Sequence, residues 1–179
     1  MTMIEDSTEV KKILKDFSAT DPKVVIEAIK KNRQVGNGKT FKALLGVLKN
    51  TDEPLVETEI IQFLFDLKDE DSVPVLIKAI QDAEMSYYHS FLVSSFWQSA
   101  IDGSDYLNVF IEVAIKGEYM TALEALTVVE NFDAAFSQSD LQEYEADIIE
   151  AIEQEQNEDK KALLVSLGDV IRNLPIEGE

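Results

Sequence analysis

Apolar residues recur at intervals of three and four along almost the whole chain, as in Phe41, Leu44, Leu45, Leu48 and again in Val73, Leu76, Ile77, Ile80. That is the spacing that returns side chains to one face of an α-helix, and the strict alternation of a half-buried strand is nearly absent. Turn signals interrupt the pattern every ten to eighteen residues. Asp21-Pro22 reads as an N-cap followed by proline in the first turn, and Asp71 or Ser72 before Pro74 reads similarly. Ser139 with Gln142 fits a capping box. Gly117 stands where a helix end calls for a left-handed residue, and Gly36-Asn37-Gly38 forms a loop. These signals predict ten helices, near 5–17, 21–33, 39–50, 53–67, 72–82, 86–101, 104–116, 118–132, 139–156 and 159–173.

Short connections make neighbouring helices antiparallel, so the ten pair into about five hairpins, 5–33, 39–67, 72–101, 104–132 and 139–173, within one domain over 1–179 that ends in a short acidic tail at 175–179. The hairpins resemble one another. The last apolar residues of the first helices, Phe17, Leu48, Ile80, Ile115 and Ile152, lie 31, 32, 35 and 37 residues apart. Seven and eight residues after the first four anchors come Val24/Val25, Leu55/Val56, Tyr87/Tyr88 and Ala122/Leu123, and the last hairpin breaks the rule with Asp159 and Lys160. Eleven and twelve residues after the anchors come Ala28/Ile29, Glu59/Ile60, Phe91/Leu92, Leu126/Thr127 and Leu163/Leu164. A further apolar row, Ile61 and Phe65, Val93 and Trp97, Val128 and Phe132, is confined to the central three hairpins. A helix within a stack buries one face on its own hairpin and another on the next, so apolar rows that fade at both ends predict a capped stack.

Leu67–Asp82, "LKDEDSVPVLIKAIQD", resembles the junction of two HEAT repeats, and Thr40–Leu67 is similar to a whole repeat. The resemblance covers about residues 7–174 and implies an all-α fold, a right-handed α-solenoid of about five HEAT-like hairpins. Where many members of that family carry Arg in the second helix, this chain has Glu57, His89 and Glu124. The resemblance therefore does not extend to functions that use a basic groove.

Charge sharpens this reading. The net charge is −19, yet residues 1–50 carry ten Lys/Arg against six Asp/Glu while residues 51–179 carry six against twenty-nine. The acidic two-thirds serves solubility or steers a basic partner, and it is a poor surface for nucleic acid, whose phosphates need Lys and Arg. Lys30, Lys31, Arg33, Lys39, Lys42 and Lys49 form a basic counterpart that could bind an acidic protein or the acidic end of another copy, giving salt-sensitive self-association. The acidic run Glu143–Asp159 reads as a solvated helix face or a docking surface. There is no cysteine and one histidine, which excludes thiolate chemistry and most zinc constellations. No nucleotide-binding, nucleophile-elbow or HExxH motif occurs, and Asp66, Asp69 and Asp71 lack the spacing of a calcium loop. No catalytic, cofactor or metal residue is assigned. The N-terminus lacks the pattern of a signal peptide and no stretch has the length of a membrane span, so the expectation is a cytoplasmic protein without a membrane partner.

The aromatic stretch Met85–Ala100, "MSYYHSFLVSSFWQSA", is then expected to be core: Tyr87, Tyr88, Phe91, Leu92 and Phe96 against their own hairpin, Val93 and Trp97 between repeats. Trp97→Ala should chiefly destabilise. His89 aligns with Glu57 and Glu124 and is expected to be exposed. The adjoining polar rows are Thr58, Gln62 and Asp66, then Ser90, Ser94 and Gln98, continued by Asp133. With Glu57, His89 and Glu124 they form either a solvated face or a binding face for a basic peptide or helix. The expected function is a non-enzymatic adaptor for a basic protein. The alternatives are an inhibitor or immunity-type protein that neutralises a basic enzyme, and a HEAT-type lyase or chaperone handling a small molecule.

Overall fold

The computed structural model describes residues 7–178, and among them every regular element is helical. The helices are α1 (Thr8–Asp16), α2 (Pro22–Val35), α3 (Gly38–Asn50), α4 (Pro54–Phe65), α5 (Val73–Ile80), α6 (His89–Gln98), α7 (Leu107–Lys116), α8 (Tyr119–Glu130), α9 (Gln138–Gln154) and α10 (Glu158–Asn173). Residues 5 and 6 of the first expected helix lie outside the described residues. Tight 3-10 turns at Glu70–Ser72, Ala83–Tyr88 and Ser104–Tyr106 lead into α5, α6 and α7.

Side-chain caps open α1, α2, α3 and α10. Asp21 accepts a hydrogen bond from the Lys23 amide ahead of Pro22. Asn37 and Thr40 form a reciprocal capping box at α3, satisfying amides that would otherwise be orphaned. Three expected signals act differently. Ser72 holds the N-cap position before Pro74 but makes no capping bond, since its hydroxyl donates to the Asp69 carbonyl; the capping carboxylate is Asp69, which holds the Asp71 amide and starts the 3-10 turn. The Ser139 capping box does not form, because the Phe136 amide bonds the Pro175 carbonyl and the Phe136 carbonyl accepts from the Glu177 amide. That pairing holds the backbone extended and the helix begins at Gln138, putting Ser139 inside its first turn. Gly117 has φ −78°, so it is not left-handed; glycine is required by close approach, since a Cβ there would lie 2.5 Å from the Val113 carbonyl oxygen.

Packing follows the hairpins: α1 on α2, α3 on α4, α5 on α6, α7 on α8 and α9 on α10. The second helices also touch in sequence, α2 with α4, α4 with α6, α6 with α8 and α8 with α10. The first helices do so only in part, α1 with α3, α3 with α5 and α7 with α9, leaving α5 and α7 with little contact. The core runs through the hairpins from Ile13 to Ile171 and includes the fully enclosed Leu44, Leu48, Ile60, Leu76, Leu92, Phe110 and Ile148. Phe96 meets Phe110 edge-on at 5.0 Å, and Phe110 meets Phe132 at 5.7 Å. Gly103 lies against this cluster, where a Cβ would come within 2.7 Å of Phe96 and 2.9 Å of Phe110.

The expected aromatic core is corrected here. Tyr88, Leu92, Val93 and Phe96 are buried, but Tyr87, Phe91 and Trp97 are exposed, at 76%, 37% and 44%. The physical reason lies at both ends of α6. The chain from Ala83 to Tyr88 is 3-10 rather than α-helical, which turns Tyr88 inward and its neighbour outward. Within α6, successive side chains point about 100° apart, so Phe96 packs on Phe110 of α7 while the Trp97 indole reaches the half-buried Glu124 of α8 at the rim.

Candidate protein-binding face

The second helices carry the residues expected to form a binding face, and the structure sorts them into three groups. Thr58 and Gln62 of α4, Asp66 just beyond it, Gln98 of α6 and Asp133 beyond α8 are exposed. Glu57, Ser90 and Glu124 are half-buried. Ser94 is a correction: it is 3% exposed and its hydroxyl donates to the Phe91 carbonyl within the helix, so it belongs to the interior. His89, expected to be exposed, is half-buried with Nε2 3.1 Å from the Asp82 carbonyl oxygen. The Thr58 hydroxyl is likewise turned back to its own helix, donating to the Pro54 carbonyl.

The carboxylates on this face are held by partners from the neighbouring hairpin. The Tyr88 hydroxyl donates to Glu57 at 3.0 Å, joining the approach to α6 to α4. The Trp97 indole N–H donates to Glu124 at 2.7 Å, joining α6 to α8. Arg33 of α2 bonds Asp66 and approaches Glu59 of α4 at 3.6 Å, its guanidinium 5.3 Å above the Phe63 ring. Every junction from α2 to α8 therefore carries one polar tie. Burial, reinforced by the Glu57 carboxylate beside it, pushes the Tyr88 phenol up to about 12. Sequence reasoning found the acceptors but missed the donors Tyr88, Trp97 and Arg33. The available signal was the repeat length itself: Arg33–Asp66 and Lys49–Asp82 are 33 residues apart and Tyr88–Glu57 31, close to the anchor spacing of the first hairpins.

The basic counterpart is partly neutralised within the chain. Arg33 is spent on α4, Lys49 bridges Asp82 and Glu84, and Lys30 pairs with Glu27. The ammonium of Lys49 holds the Asp82 carboxyl below its ordinary range, helped by the Glu84 amide. Among the described residues no three His, Asp or Glu side chains converge as a metal ligand set, and no helix is long and apolar enough to cross a membrane. No protein-family model, curated protein or solved structure matches the chain.

Proposed function

We propose that the chain is a right-handed α-solenoid of HEAT-like hairpins and that it works as a non-enzymatic adaptor, binding a basic protein along the exposed side of α4, α6 and α8. The sequential contacts of the second helices and the side-chain ties recurring at the repeat length support the solenoid. The observation that carries the binding role is the pairing of exposed aromatic surface with fixed carboxylates: Trp97, 44% exposed, is hydrogen-bonded to Glu124, and Tyr87, 76% exposed, packs edge-on against the Tyr88 that holds Glu57. An aromatic side chain with a polar tip is the residue type that concentrates binding energy at protein interfaces. Carboxylates already held in place lose little freedom when a Lys or Arg meets them. Long-range attraction would bring the basic partner in, and contact with Trp97 and Tyr87 would slow its departure.

The test is capture of partners from the host lysate on the immobilised chain, followed by kinetics with each purified basic protein retained. Trp97→Ala should raise the dissociation rate, and Glu124→Gln with Asp133→Asn should lower the association rate in low salt only. Failure to retain any basic protein, or kinetics indifferent to all three substitutions, would overturn the proposal.

A further inference from the structure

The last hairpin presents a face that the inner hairpins cover. Thirteen residues after Ile80, Ile115 and Ile152 stand Val93, Val128 and Val165. Val93 and Val128 are 0% and 2% exposed, where α6 packs on α8 and α8 on α10. Val165, on α10, is 46% exposed, since no further hairpin follows it among the described residues. On α9, Ile149 is 48% exposed. Arg172, seven residues from Val165, bonds Glu145, four residues from Ile149, at 2.9 Å. At about 100° per residue, that ion pair turns both apolar side chains to the same side of the hairpin. The exposed Ala146 and Ala162 extend the patch, and Glu153 and Glu158, exposed and without an ion pair among the described residues, stand at its rim. The terminal hairpin of a stack ordinarily needs a polar outer face, and the centre of this one is apolar.

The first hairpin is open in the opposite direction and carries the opposite charge. Eighteen residues after Phe17 and Leu48 stand Val35 and Asp66. Asp66 is held by Arg33 of the hairpin before it, whereas Val35 has no preceding hairpin among the described residues and is 37% exposed. Val24, equally exposed, lies eleven residues back on the same side of α2, with Lys31 between them. On α1, Leu14 faces α3 beside Ala43 and Val47, and Lys12 stands on the other side of the helix. Lys12 and Lys31 are exposed and without an ion pair among the described residues. Residues 8–35 carry seven Lys/Arg against four Asp/Glu, and residues 138–173 carry three against ten.

We infer that the first hairpin of one copy stacks on the last hairpin of a second copy, head to tail. Two observations assign the occupant. At the inner junctions the valine row is covered by another hairpin of the same kind, and the hairpin a second copy offers has valines on its open side and the charge opposite to the acidic rim. Unlike ends in contact make a heterologous interface, which leaves a free end after each addition, so size grows with concentration. The net charge of −19 opposes the approach of two whole copies. At ~0.1 M salt that repulsion is screened beyond about 10 Å, while the abutting rims remain within reach of each other. The outward face of α4, α6 and α8 stays uncovered in this arrangement, so the inference stands apart from the adaptor reading.

Sedimentation velocity over ~5 to ~500 µM tests this on the chain itself and on two variants. Lys12→Glu with Lys31→Glu blocks the first hairpin. Ile149→Glu with Val165→Glu blocks the last, because carboxylates set against Val24 and Val35 lose their hydration without an apolar gain. All four positions are exposed and Glu is a good helix former, so the fold is kept. At ~0.1 M salt the parent's weight-average sedimentation coefficient should rise with concentration, and its association constant should fall about tenfold at ~1 M salt, where the screening length is ~3 Å. Each variant alone should stay monomeric. Their equimolar mixture should form a two-chain complex that grows no further, since it joins the one intact first hairpin to the one intact last hairpin and leaves two acidic ends. A parent that stays monomeric at every concentration, or association indifferent to salt, overturns the inference. So does a variant that still self-associates alone, which would mark a contact between like faces, or a mixture that stays monomeric.

Discussion

Replacing Tyr88 by Phe isolates the tie between α4 and the approach to α6. Tyr88 is 8% exposed and its hydroxyl sits 3.0 Å from Glu57. The variant keeps the ring and its packing and deletes one hydrogen bond to a charged acceptor, a bond worth about 1.5–3 kcal/mol. Glu57 is half-buried, so water can partly replace the lost donor, and the expected cost at pH 8 is about 1–2 kcal/mol. The pH dependence follows from the phenol's displacement from 10 to about 12. A group whose pKa is raised on folding contributes stability that is complete below its unfolded pKa and is lost as pH climbs through the folded value. A two-unit displacement corresponds to an upper bound of roughly 2.7 kcal/mol. The stability difference between the parent and Tyr88→Phe should therefore hold steady to about pH 10 and then shrink, the curves meeting as pH approaches about 12. Urea unfolding by circular dichroism at pH 8 to 12 measures it, and absorbance of tyrosinate should show a late-ionising component missing from the variant. Equal stability at pH 8, or a difference that stays constant to pH 12, would refute the assignment.

Three further outcomes can be checked by the same unfolding assay. Gly103→Ala should destabilise by about 1–3 kcal/mol, because its new methyl collides with Phe96 and Phe110 in a filled core. Gly46→Ala should stabilise by up to ~1 kcal/mol, since that helical site opens to free space. Phe110→Ala should cost about 3–5 kcal/mol as a fully enclosed aromatic, whereas Trp97→Ala should cost distinctly less. Equal losses for these two would restore Trp97 to the core.

The ten helices among the described residues, and their pairing, were legible because period and turn chemistry are local. What failed depended on distant residues. Val93 and Trp97 belong to one apolar row in the sequence, yet Val93 is enclosed and Trp97 is not, because the Trp97 indole ends at the rim on Glu124 of α8, a contact 27 residues away. The same limit applies to the candidate face. Glu57 and Glu124 announce themselves as charged residues in the second helices, but the donors that hold them lie 31 and 27 residues away. Ser94 shows the converse error: a hydroxyl can satisfy itself on its own helix and be buried without a partner elsewhere.

The unequal packing of the two helix rows has a mechanical meaning. The second helices touch in an unbroken succession from α2 to α10, while the first helices part between α5 and α7. A beam joined along one flange and notched on the other bends at the notch. Flexure there changes the angle between the halves while sparing the joined row, so it disturbs few packed side chains. A spin-label pair on Lys78 and Glu112 should accordingly report a broader distance distribution than a pair on Gln62 and Gln98, and equal widths would show that the notch is stiff.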